Sequence, residues 1–450
     1  MKITTRLFSL AAASVLALGL AGCGGGGSSD GGVGTSDKQA VLEAYAEGVQ
    51  TKMAAAVSDA KALRNAITAF TAAPSEATMA AAKTAWLNAR ESYGLTEIYR
   101  LSGGPIDAEE GWVAEAYGAP EGQLNAWPLD ENMIDYTVEA DGTLSSGNII
   151  DTAGMFTPTG GEAVDVTTIT ADALAALNEN GGDANVATGY HAIEFLLWGQ
   201  DQDYASFIDD TVTNGAMTAG QRPLEDYTSG ANAQRRKDYL NAAAALLVAN
   251  LETVSAAWSA QTSSDCDTDA TGCYRAALLG ELTGGDAAKN IAPDTALRTI
   301  MAGMGVFLKS ELANERIAVA VLTPSEEDEH SCFSDNTHRD IALNYQGFVD
   351  VLKGSGETPS MYSLSSSETR GAIDALIASI NAKVATVDAT AKSSAHFDYQ
   401  IMPGADNRQL IKDMKNEMRD LGDEMVDVAA AFGFSLSKSD VTDEEETVVP

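Results

Sequence analysis

The sequence predicts an all-α protein of two tandem helical-bundle domains, the first interrupted by a long irregular insertion. Apolar residues recur at three- and four-residue steps in Ala-rich segments. No stretch longer than five residues alternates cleanly, and aromatics are only 6% of the 450 residues. Alanine costs no side-chain entropy in a helix and adds little to a strand surface, so this balance favours helices. A hydrophobic content of 45% excludes wholesale disorder. With 28 Lys+Arg against 65 Asp+Glu the formal charge is −37, and the longest basic run is Arg235-Arg236-Lys237. Such a chain repels phosphate backbones, which excludes nucleic acid as a partner.

The N-terminus reads as a sorting signal. Lys2 and Arg6 flank an apolar run from Leu7 to Leu20, followed by Leu20-Ala21-Gly22-Cys23. The run is too short for a membrane-spanning helix. The pattern predicts a lipoprotein signal peptide over residues 1–22, cleavage before Cys23 and acylation of its thiol; a plain secretory signal is the alternative. Each buried methylene of such an anchor is worth about 0.8 kcal/mol, so the chain is expected on a membrane. Gly24 stands where an Asp favours inner-membrane retention, which points to the outer membrane of a cell envelope. Residues 23–36 are rich in Gly and Ser and read as a flexible tether.

The first domain is expected over residues 37–262. A helix over 37–70 carries Val41, Leu42, Tyr45, Val49, Met53 and Leu63 at helical steps. Pro74-Ser75 ends it and caps a second helix that runs to about Arg100. Residues 103–170, dense in Gly and Pro and carrying Trp112 and Trp127, form the insertion. Helices are expected again over 171–178, 189–198 and 231–258. Cys266 and Cys273 flank a short Asp/Thr/Gly loop and are expected to pair in an oxidising compartment, leaving Cys332 buried. That loop reads as the boundary to a second domain over 274–435, with helices from Pro293 to Val321, then a break at Pro324, then 337–352, 367–387 and 405–432. Residues 436–450 read as an acidic tail, frayed and solvated from Val441 onward.

Three places draw chemical attention. His191 and Glu194 stand i, i+3, so on a helix they share a face and can grip one cation. Four histidines in so acidic a chain give about 0.6 such pairs by chance, and a satisfied structural His–Glu pair is the competing reading. Their neighbours Ile193, Phe195, Leu196, Leu197 and Trp198 imply burial, where a carboxylate needs a partner. Glu315 falls where the 3.6-residue stripe Leu297, Met301, Met304, Leu308 asks for a hydrophobe, with Glu311 one turn earlier. It reads as a ligand, or as the partner of Arg316 or solvent at a bundle edge. The run from Glu329 to Asp340 packs His330, Ser334, Asp335 and His338 into one polar loop. There Ser334, Asp335 or Thr337 is expected to cap the next helix, and Asp335 with His338 to face a ligand. His396 is assigned no role. No His-Glu-x-x-His, Gly-x-Ser-x-Gly, phosphate-cradling loop or Cys-x-x-Cys-His is present.

At these residues the sequence resembles the imelysin family, the group that includes iron-regulated protein A and an insulin-cleaving membrane protease. The Gly-x-His-x-x-Glu signature matches Gly189, His191 and Glu194. Further matches are Gly104-Pro105-Ile106-Asp107, Asn125 to Glu131, Gly220-Gln221-Arg222-Pro223, Ser310 to Arg316 and His330 to His338; Asn314 departs from the glycine expected there. The resemblance implies two helical bundles with the His-x-x-Glu face between them, exposure outside the cytoplasm and a link to iron uptake. It further implies that Asp201 and Glu315 complete the metal ligands begun by His191 and Glu194. Glu311, Arg316, Ser334, Asp335 and His338 would line the cleft. The expected cofactor is one transition-metal ion, iron or zinc, with haem or an iron chelate as the alternative ligand. The expected partners are that ligand, the membrane through the lipid anchor and an outer-membrane transport receptor. A metal-dependent peptidase with Glu194 or a neighbouring acid as general base is the rival function, disfavoured by the missing second zinc histidine.

Overall fold

The computed structural model describes residues 32–138, 142–201, 217–322, 329–356, 359–443 and 446. The expected signal peptide, the lipidation site Cys23, most of the tether and Pro324 lie outside them. From Val33 the chain forms one compact unit, built, among the described residues, on eight principal helices.

Helix α1 (Thr35–Ala72) buries Val41, Leu42, Tyr45, Val49, Met53, Leu63 and Ile67 along one stripe. The stripe packs against α2 (Glu76–Gly94) and α4 (Ala233–Ala257). Ser75 starts α2 with a reciprocal cap: its Oγ accepts from the Thr78 N–H at 3.2 Å, and Thr78 Oγ1 accepts from the Ser75 N–H at 3.0 Å. Helix α4 is long and apolar enough to cross a membrane by length and composition alone, but it packs here against α1 and α3 (Gly189–Trp198). The insertion holds short helices and an antiparallel strand pair, Met155–Phe156 with Val164–Asp165. The Cys266–Cys273 disulfide forms, and Cys332 is buried and takes part in no disulfide among the described residues.

Helix α3 is buried at all ten of its positions, which makes it the centre of the first half. Trp86 Nε1 donates to Tyr190 O at 2.9 Å, and Tyr239 Oη to Ala187 O at 2.8 Å. Arg222 donates from Nε and Nη2 to Phe195 O at 3.3 Å and from Nη1 to Asp135 at 2.7 Å, so the Gly220–Pro223 motif clamps the end of α3 onto the insertion. Gly189, at φ +83°, opens the helix. A Cβ there would stand 2.6 Å from Leu124 O, so the motif's glycine is a steric requirement.

The second half comprises α5 (Pro293–Val306), α6 (Thr337–Lys353), α7 (Ser367–Ala391) and α8 (Arg408–Ala431). Helix α5 runs on without a break into a π-helix, Phe307–Val319. Bonding i→i+5 adds about one residue per turn. The 3.6-residue stripe therefore slips: Leu308, Leu312, Ala313, Arg316 and Ile317 are buried while Glu315 is exposed. Asn336, not Ser334, Asp335 or Thr337, occupies the position before α6, without a side-chain cap.

The two expected bundles share one hydrophobic core that runs from Val41 to Val441, with α6 packed on α2 and α5 on α1, so the structure draws no boundary between them. One expectation is corrected. The tail is not frayed at Val441, which is fully buried. Thr442 and Glu446 bond Lys309 and Arg419, and Ser310 Oγ donates to Glu446 at 2.8 Å.

A buried ionic seam joins the halves. Glu97, in the short turn Glu97–Tyr99 after α2, is fully buried. It accepts from Arg316 Nη2 at 2.6 Å, from Asn344 Nδ2 at 3.1 Å and from Asn125 Nδ2 at 3.2 Å. Arg316 also holds Glu311 at 2.9 Å, and Arg100 holds Glu311 at 2.8 Å. Burial raises the Glu311 carboxyl, but Arg100 and Arg316 outweigh it and bring its pKa down to about 2.

Two outcomes follow for stability. Gly189→Ala is expected to destabilise the fold by about 3 kcal/mol, read by denaturant unfolding, because a strained φ adds to a backbone clash. Glu311→Gln removes a carboxylate whose pKa falls on folding, so its cost is full above about pH 4.5 and closes toward about pH 2. Melting curves of the two proteins should converge as pH falls through that window; a gap unchanged with pH would contradict the seam's role.

Candidate metal centre

Helix α3 places His191 and Glu194 one turn apart with both side chains fully buried. They meet each other: His191 Nδ1 lies 3.0 Å from Glu194 Oε2. The other oxygen, Oε1, accepts from the Ser334 N–H at 3.0 Å and from Ser334 Oγ at 2.6 Å. The far side of the imidazole faces a second one, with His191 Nε2 at 3.3 Å from His330 Nε2. His330 Nδ1 in turn lies 2.8 Å from Asp340 Oδ2. Asp340 Oδ1 accepts from Arg90 Nε at 3.2 Å and Nη2 at 2.9 Å. The Trp127 ring closes over the pair, 5.3 Å from His191 and 6.4 Å from His330.

The chain Glu194–His191–His330–Asp340 has three contacts, and each needs a proton or a cation. Two neutral imidazoles carry only two N–H groups. Burial raises Asp340, but Arg90 and the His330 and Ser331 hydrogen bonds hold it well below the usual carboxylate range. Burial pushes Glu194 up to about 8 despite the Ser334 bonds. Burial and the neighbouring His330 push His191 well below the ordinary imidazole value, and burial with Arg316 lowers His330. The metal-free chain closes when Glu194 holds the third proton. Alternatively, both Nδ1–H groups donate to ionised carboxylates, and the two Nε2 lone pairs are left facing a cation.

That second arrangement fits a metal. Two nitrogens on a tetrahedral ion at about 2.0–2.1 Å stand about 3.3 Å apart, and each imidazole already has the carboxylate on Nδ1 that orients a metal-bound histidine. Beside His330 lies a cavity of about 200 Å³, walled by Trp127, Arg100, Glu121, Glu311, Glu315 and Arg316, with Glu179 and Asp183 also on its lining.

The expected ligand set is not gathered at one point. Among the described residues no group of three or more His, Cys, Asp or Glu side chains is arranged to hold a metal. Asp201, just past the end of α3, acts instead on Asp398, whose carboxyl is raised by burial and then by Glu329, Asp335 and Asp201. Glu315 reaches the cavity wall but not the imidazoles, because the π winding turns it outward. Glu311 and Arg316 line the cavity as expected, and Ser334 holds Glu194 rather than a ligand. Asp335 pairs with His396, and His338 Nδ1 lies 3.1 Å from the Asp335 carbonyl, so neither faces the cavity wall. Burial takes the His338 pKa down to about 4. Glu194 is fully buried with both oxygens bonded, so it does not present itself to cavity water as a general base.

Sequence spacing missed His330 and Asp340 as members of the centre, and Arg90 and Trp127 as its supports. The signals for His330 were its place in a polar loop and in the matching segment His330 to His338, and neither pairs it with His191, which lies 139 positions away.

Solved structures with the same fold include an iron-regulated protein A precursor from Parabacteroides distasonis, 16% identical over 90% of this chain and 97% of that one, with a TM-score of 0.61. An imelysin-like protein from Psychrobacter arcticum matches at 12% identity over 90% and 98% of the two chains, with a TM-score of 0.52. No curated protein matches the sequence. The sequence profile of imelysin matches residues 49–425. The chain belongs to the imelysin family.

Proposed function

We propose that this protein binds one first-row transition-metal ion, iron in its biological setting, between His191 and His330, and serves iron uptake from a lipid-anchored position at the cell envelope. The observation that carries the reading is the pair of Nε2 atoms 3.3 Å apart, each imidazole backed by a buried carboxylate. Imidazole suits Fe²⁺ and Zn²⁺ alike, so the donors fit the group without choosing the metal. Two protein ligands leave the remaining positions to water, which suits a carrier that must release its cargo. The description of one structural relative as iron-regulated supports iron as that cargo. Acylation at Cys23, an outer-membrane site and delivery to a transport receptor complete the reading.

Calorimetry and metal analysis of the full chain with Fe²⁺ under anaerobic conditions, and with Zn²⁺, should give one ion per chain. His191→Ala and His330→Gln should each abolish it while circular dichroism reports an intact helical fold. Asp340→Asn should keep the stoichiometry and weaken binding by about 10- to 100-fold, as loss of an orienting carboxylate does elsewhere. Undiminished binding in His330→Gln would contradict the reading.

A further inference from the structure

We infer that the cavity beside His330 admits its metal as a free hydrated cation and rejects anionic carriers such as ferric citrate or haem. The inference rests on the reading above and concerns the form in which the cargo arrives. Its first support is the state of the two guanidiniums on the wall. Arg100 is already bound to Glu311 at 2.8 Å and to Glu121 at 3.3 Å. Arg316 is bound to Glu97 at 2.6 Å and to Glu311 at 2.9 Å, and its other Nη meets Asn344. Both charges are already shared between carboxylates, and Arg100 Nε, which has no hydrogen-bond partner among the described residues, is buried. An incoming anion would have to displace one of these carboxylates and leave it buried without its partner, at a cost of several kcal/mol.

The second support is the surplus on the same wall. Glu179, Asp183 and Glu315 line the cavity, and none of them has an ion pair among the described residues. Burial raises the Glu121 carboxyl despite Arg100, and burial with the neighbouring Glu311 raises Glu315 to about 7. In both groups burial is the larger cause, and neighbouring carboxylates add to it. A cation offsets the carboxylates of this wall that have no ion pair among the described residues, whereas an anionic chelate adds to them, and the formal charge of −37 on the whole chain acts in the same sense. Size is the third support. About 200 Å³ accommodates an ion with part of its water shell, while pockets for organic ligands typically span about 300–1,000 Å³.

The experiment is parallel calorimetry on the full chain with anaerobic Fe²⁺, ferric citrate and haemin, repeated on His191→Ala and on the double variant Glu179→Gln/Glu315→Gln. Free Fe²⁺ should bind at least about 100-fold more tightly than either carrier, reflecting like-charge repulsion. The double variant should weaken Fe²⁺ binding by about five-fold, the Coulomb share of two carboxylates through water, while circular dichroism reports an intact helical fold. Ferric citrate or haemin binding as tightly as Fe²⁺, and lost in His191→Ala, would overturn this inference and leave the histidine site standing. Binding of neither ion nor carrier would overturn the site itself.

Discussion

The whole arrangement depends on Glu97 being held, without any exposure, between arginines from opposite halves of the chain. Arg316 reaches it from the π-helix at 2.6 Å, and Arg90 on α2 lies 3.8 Å from its other oxygen. A buried carboxylate is costly unless several donors satisfy it. Here Asn125 and Asn344 supply the rest. The donors come from the insertion, the π-helix and α6, and Arg90 of α2 adds its charge at 3.8 Å, so the carboxylate is fully compensated only when all four are in place. That requirement fixes the register of the two halves more sharply than apolar packing alone, which tolerates small slides.

The histidine pair is a consequence of that register. Arg90, while near Glu97, also grips Asp340, and Asp340 orients His330 toward His191. Ser334, in the same loop, secures Glu194 on the other side. Each imidazole thus arrives with its Nδ1 committed and its Nε2 turned inward. The contact between them is where a missing proton or a bound cation decides the electrostatics, and His330 is the member of the pair that lines the cavity.

Much of the fold was legible because helices announce themselves locally. Leu42, Val49 and Leu63 of α1 keep a single face over 38 residues, and Ser75 marks the start of α2 by capping chemistry. The Cys266–Cys273 pairing needed only a short loop between the partners. Glu315 was misplaced because the reading assumed 3.6 residues per turn where the backbone winds as a π-helix, and no local pattern distinguishes the two. The two halves read as separate bundles for a related reason: Arg90 with Asp340 and Asn344 with Gly94 meet as buried pairs between them, and a sequence does not show which buried faces will meet. At the site, His191 and Glu194 were legible through their i, i+3 spacing. His330 and Asp340 were not, since their roles come from contacts made across 139 and 250 positions.

The most direct measurement is anomalous diffraction from crystals soaked in Fe²⁺ or Zn²⁺. The account predicts a single strong peak within about 2.1 Å of both His191 Nε2 and His330 Nε2, with Glu194 and Asp340 still on the opposite nitrogens. A peak confined to the cavity carboxylates, or none with the imidazole contact unchanged, would contradict it.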